Sequence, residues 1–130
     1  MKNKKGFTLV ELLVVISIIG VLALMGLRLY LGQQDKAKDV MVKANAGTVH
    51  TLIQAELADK NLNTRDEAVD IARAAGLHNP FNGVSMSTAG WFPESAITPG
   101  QIQITLSGGI FSIQGCGADG LLPNILTARK

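Results

Sequence analysis

Lys4-Lys5-Gly6-Phe7-Thr8-Leu9-Val10-Glu11, followed by the uncharged apolar run from Leu12 to Leu27, is the stretch that decides how the rest is read. Lys2, Lys4 and Lys5 form a short basic leader of targeting type, to be set apart from any folded core. Glu11 interrupts the apolar segment where transfer into hydrocarbon alone would forbid a charge. An ionised side chain there costs roughly 2.5–3.5 kcal/mol on insertion scales, so it marks a group that needs a partner. Glu11 also spoils the segment as a secretory signal, and the small residue ahead of it is Gly6. A cut after Gly6 would leave the apolar segment on the mature chain and create an α-amino group on Phe7. That amine is a natural partner for the Glu11 carboxylate, in its own chain or a neighbouring one.

The segment Lys5-Gly6-Phe7-Thr8-Leu9-Val10-Glu11-Leu12 resembles the processing site of type IV prepilins and the related pseudopilins. The resemblance covers Lys4 to Tyr30 closely and the remainder only by general layout. It implies cleavage after Gly6 by a membrane peptidase, which then N-methylates Phe7. It further implies that Glu11 pairs with the N-terminal amine of an adjacent subunit and sets axial register, and that the helix can loosen at Gly20 on assembly. Arg28 departs from the pattern, which often places a helix-distorting proline at that position. The partners implied are further copies of the chain in a helical filament, the peptidase/N-methyltransferase, an assembly platform and, before assembly, the membrane. A second reading from the same resemblance is a pseudopilin of type II secretion or of competence, whose head would take up DNA; nothing in the sequence supports DNA specifically.

Phe7 to Leu31, taken as a helix, spans about 37 Å at 1.5 Å per residue, enough to cross a bilayer core of about 30 Å. The lysines of the leader place the N-terminus in the cytoplasm by the positive-inside rule, with the head outside. The expected path runs from a single-pass precursor in the inner membrane to a cell-surface filament, or a periplasmic one for a pseudopilin. The 47% hydrophobic content is inflated by this segment, and the net charge of +2 belongs to the leader. Without Lys2, Lys4 and Lys5, nine basic residues face ten acidic ones. That balance argues against a global attraction to nucleic acid.

The expected architecture is α+β: a long N-terminal helix packed on a small antiparallel sheet. Its parts are a leader at 1–6, a hydrophobic helix at 7–32, an amphipathic continuation at 33–58 and a head at 59–130. Within the continuation, Asp35 with Lys38 and Asp39 with Lys43 have the spacing of surface ion pairs. Val49, Ile53 and Leu57 form a stripe able to cover the head. Thr64-Arg65-Asp66-Glu67 fits a capping box opening a short helix whose apolar face is Ala68, Ile71, Ala72 and Ala75, with Gly76 ending it. Gly90 to Gly100 shows no clean period. Beyond it, Ile102, Ile104 and Leu106 alternate with polar residues, and Ser107-Gly108-Gly109 turns the chain into Ile110 to Gln114, which predicts a hairpin. Val84 to Ala89 is the expected third strand.

Catalytic signals are weak, and the expectation is a protein that is not an enzyme and holds neither cofactor nor metal. Cys116, the single cysteine, excludes an internal disulfide. His50, on a helix, and His78, in a turn, share no spacing with it that would build a nucleophile or a metal site. Asp119 is the one carboxylate in Gly117-Ala118-Asp119-Gly120, where calcium would need six to eight oxygens.

Overall fold

The computed structural model describes residues 5–95 and 98–130. The leader lysines Lys2 and Lys4, and two residues of the 90–100 connection, lie outside that range. The chain divides into two units, Met1–Gln34 and Asp35–Lys130.

In the first unit the single element is the beginning of helix α1, which runs Leu9–Asp59 without a break at Gly20, Gly26 or Gly32. All of its described side chains in this unit are exposed. Leu, Ile and Val surround the helix on every side, so no stripe faces a core, and an 18-residue window reaches a mean hydropathy of 2.7 with none of it buried. By length and composition it can cross a membrane. Its one early hydroxyl is satisfied internally, since Ser17 Oγ donates to the Leu13 carbonyl at 2.7 Å. The helix glycines have open space where a Cβ would stand.

The second unit is the head. Here α1 presents Val42, Ala46, Val49, Ile53 and Leu57 as a buried stripe at helical spacing. Helix α2, Arg65–Ala74, follows the break, and its capping box is formed as its sequence predicts: Thr64 accepts from the Glu67 amide while Glu67 accepts from the amides of Asn63 and Thr64. Those bonds hold the Glu67 carboxyl below the usual glutamate range. The buried residues of α2 are Ala68, Val69 and Ala72. Val69 thus takes the place expected for Ile71 and Ala75, which are only half-buried. After a single 3-10 turn at Ala89–Trp91 come β1, Ile102–Ser107, β2, Ile110–Gly117, and β3, Gly120–Ala128.

The three strands form an antiparallel sheet in the order β1-β2-β3. Gly108 and Gly109, with φ of 57° and 78°, make the turn that pairs Leu106 with Phe111 and Ile104 with Ile113. Ile102, Ile104, Phe111 and Ile113 are fully buried against Val49, Ile53 and Leu57, as the alternation predicts. At about 1.5–3 kcal/mol for each large apolar side chain, this layer is the main source of head stability.

Two expectations are corrected. Val84–Ala89 is not a strand, and its neighbourhood contributes only an isolated bridge between His78 and Ser85. The third strand is instead β3, where the register jumps between Gln114 and Cys116 so that Leu122, Pro123 and Asn124 bulge opposite Gly115. Proline, lacking an N–H, is admitted to a sheet at such irregular or edge positions. The edge of β3 is partly closed by side chains of α1. His50 Nε2 lies 3.0 Å from the Thr127 carbonyl and must carry the proton, and Gln54 bonds both the carbonyl and the amide of Arg129.

The second correction concerns charges. The ion pairs among the described residues are Lys60–Glu56, Arg65–Asp66 and Arg73–Asp70, with neither Asp35–Lys38 nor Asp39–Lys43 among them. Lys38 sits 5.4 Å from the Phe81 ring centre, and Asp39 accepts from the amide of Ala118. Strand β2 comes unusually close to α1 here: a Cβ at Gly115 would lie 2.4 Å from Val42 Cγ1, and one at Gly117 2.4 Å from Asp39 Oδ1.

Candidate functional site

The residues singled out by the sequence gather at the start of α1. Lys5, Gly6, Phe7 and Thr8 precede the helix and are exposed, so the Gly6–Phe7 peptide bond stands outside any regular structure. Phe7 is 86% exposed. Glu11 does have a partner within its own chain: its Oε2 accepts from the Thr8 amide at 2.9 Å, while the Thr8 hydroxyl accepts from the Glu11 amide at 3.2 Å. This is a reciprocal capping box, two otherwise orphaned amides satisfied by two side chains. It also sets a carboxylate in the first turn, where the helix dipole favours negative charge.

Among the described residues, capping gives a donor to one carboxylate oxygen of Glu11 and none to the other, on a helix end open to solvent. The arrangement can accept a cation: an amine placed at the second oxygen would meet a carboxylate already held by one capping bond. Gly20 lies nine residues further on, in open space and within continuous helix.

The residues considered for catalysis are not brought together. His50 faces the β3 edge, and the His78 backbone carbonyl accepts from Asn45. Cys116 is 1% exposed in β2, its thiol pushed up by burial and then by the Asp39 carboxylate. Asp119 lies exposed in the β2–β3 turn. Among the described residues no three His, Cys, Asp or Glu side chains converge as a metal-binding group. Thr8 is the residue that sequence reasoning passed over, although Thr-x-x-Glu ahead of an apolar run is a legible capping signal.

The family model of the prokaryotic N-terminal methylation motif matches residues 1–27, the span that holds Gly6, Phe7, Thr8, Glu11 and Gly20. The chain carries this N-terminal methylation motif and is similar to type IV pilins. It is 40% identical over 70 residues to the fimbrial protein EcpB of Eikenella corrodens, a match covering 54% of this chain and 44% of that one. It is 36% identical over 72 residues to the type IV wide pilus major component PilA4 of Thermus thermophilus, covering 55% of each. The pilin-like chain is thus matched along about half the length of these curated relatives. No solved structure matches it. Its long helix and small antiparallel sheet make the α+β pilin-like arrangement read from the sequence.

Proposed function

We propose that this chain is the precursor of a structural subunit of a type IV pilus-like filament. The leader is removed after Gly6, Phe7 becomes the N-methylated terminus, and copies polymerise through the apolar half of α1. The observation that carries the reading is the complete exposure of the apolar helix from Leu9 to Leu31, with a lone carboxylate in its first turn. Leu12, Leu22 and Leu24 are 58%, 62% and 70% exposed, a surface that cannot stay in water. It is stored in the bilayer first and then buried against the same segment of other copies. Contacts of that kind join different faces of each copy, do not close, and build an open helical polymer.

Glu11 gives the polymer its register. In a dry core its charge is penalised until a cation meets it, and the amine of Phe7 from the next copy is that cation. The head carries no chemistry in this scheme; its packed sheet stands on the surface of the filament. The relatives, named as a fimbrial protein and a pilus major component, support the reading of a filament subunit.

Mass spectrometry of the N-terminal peptide, in material sheared from cells and in membranes, tests the proposal. Abundant sheared protein beginning at N-methylated Phe7 is the expected result. Processed protein confined to the membrane fraction would point instead to a pseudopilin of secretion or competence, and an uncleaved leader would overturn both.

A further inference from the structure

Asn82 is followed by glycine, which is true of no other asparagine in the chain. A glycine amide has no side chain to screen it, so its nitrogen can close on the carboxamide carbon of the residue before it. Asn82 and Gly83 are both exposed, in a loop of the head outside every helix and strand. Two hydrogen bonds hold the pair. The Gly83 amide donates to the Asn79 carbonyl at 2.8 Å, and the Val84 amide donates to Asn82 Oδ1 at 3.0 Å. The second bond is a local side chain-to-backbone contact of the kind asparagine favours in turns. It draws electrons toward Oδ1 and leaves Cγ open to attack, while the first bond occupies the nitrogen that would attack.

We propose that Asn82 is a site of spontaneous covalent modification, latched by the bond from Gly83 to Asn79 and converted to aspartyl and isoaspartyl forms when that bond opens. Opening exposes the Gly83 N–H to solvent base, which takes its proton. The nitrogen bonds to Asn82 Cγ, the Cγ–Nδ2 bond breaks, and ammonia leaves, closing a five-membered imide. Water then opens the ring at one of its two carbonyls. Cleavage between Cγ and the nitrogen gives aspartate on a regular backbone, and cleavage between the backbone carbonyl carbon and the nitrogen gives isoaspartate, with the chain routed through the side chain. Aspartate keeps an acceptor for the Val84 amide and sets a carboxylate beside Phe81, whose ring centre lies 5.4 Å from the Lys38 ammonium. Isoaspartate lengthens the backbone between positions 82 and 83 and moves the Gly83 amide off Asn79. Two other asparagines serve as references. Asn79 is 1% exposed and precedes Pro80, whose nitrogen has no proton to lose. Asn124 is exposed like Asn82, but the branched side chain of Ile125 crowds the amide that follows it.

Peptide mass spectrometry after timed incubation in mildly alkaline buffer tests the site, on the purified full-length chain folded in detergent and on the same chain unfolded in guanidinium chloride. The expected result in both is the mass gain of exchanging an NH2 for an OH, at Asn82 and not at Asn124. The folded chain should convert more slowly by roughly tenfold or more, because a local opening must come first. Gly83→Ala has open space for its Cβ despite the φ of 71°, and should fold yet lose most of the conversion. Asn82→Asp, the product with a regular backbone, should keep a denaturation midpoint close to that of wild type. Equal rates in the folded and unfolded chain would show that the Asn79 bond is no latch. A folded chain that never converts while the unfolded one does, conversion at Asn124 as fast as at Asn82, or undiminished conversion in Gly83→Ala would overturn the site.

Discussion

Asp39 and Ala118 stand 79 residues apart in sequence, yet the Asp39 carboxylate accepts the Ala118 amide at 2.8 Å. One side chain of the long helix thereby caps the turn between β2 and β3. It does so where Gly115 and Gly117 let the strand backbone lie directly on that helix.

Asp39→Ala leaves the Ala118 amide without its acceptor. The expected cost is about 1–2 kcal/mol, read from denaturation of the full chain in detergent. Because Asp39 helps to push the Cys116 thiol up, the same variant should also react faster with a maleimide at fixed pH. An unchanged labelling rate would show that Asp39 does not govern this corner.

Glu11→Ala should leave processing at Gly6 intact, since the scissile bond lies ahead of the helix, but should cost roughly tenfold or more in filament yield if an unpaired amine is left in the core. Thr8→Ala removes only one capping acceptor, worth about 1 kcal/mol of local helix stability, and should assemble far better than Glu11→Ala. Equal yields from the two variants would mean that Glu11 acts only as a cap. Gly6→Leu should abolish cleavage, and a mature N-terminus at Phe7 in that variant would refute the site.

Gly100→Ala is expected to be severe. Gly100 has φ of 90°, and a Cβ there would fall 2.0 Å from Oδ1 of the buried Asn79. Asn79 in turn bonds the Pro99 carbonyl and the Phe81 amide, so it cannot step aside freely. Strain and displacement together should exceed about 3 kcal/mol. Gly108→Ala, with positive φ but open space, should cost only about 1–2 kcal/mol; a similar loss of denaturation midpoint in both would argue against the Asn79 clash.

Acid should weaken the start of α2. The folded pKa of Glu67 is lowered by the Asn63 and Thr64 amides. Its contribution is therefore present above the unfolded glutamate pKa and is lost as pH falls through the depressed folded value. Denaturation midpoints of wild type and Glu67→Gln should differ at neutral pH and converge once pH has fallen below the depressed folded value of Glu67. A difference that persists undiminished at low pH would place the effect outside the carboxylate.

The long helix, the capping box at Thr64 and the β1–β2 hairpin were legible because each rests on a local pattern: an apolar run, a four-residue cap, a period of two. Gly6, Phe7 and Glu11 were legible as a motif for the same reason. Strand β3 was hidden by Pro123, which local rules count against a strand and which the bulge opposite Gly115 accommodates. Val84 to Ala89 looked like a strand by composition, yet found only the Ser85 bridge to His78. The bond from Asp39 to Ala118 has no local signal at all. Spacing suggested Lys43 as its partner, and only the tertiary approach of β2 reveals the amide that takes its place.

The half-closed edge of β3 bears on what kind of polymer this chain can become. An open strand edge is a template on which other chains add by backbone pairing, and that hazard grows wherever many heads are crowded together. Here Pro123 offers no N–H, while His50 and Gln54 occupy the carbonyls of Thr127 and Arg129. Strand-to-strand growth is discouraged at the sheet; under the proposed filament reading, association is left to the apolar helix, and the polymer would lengthen without its heads condensing into fibrous β-aggregate.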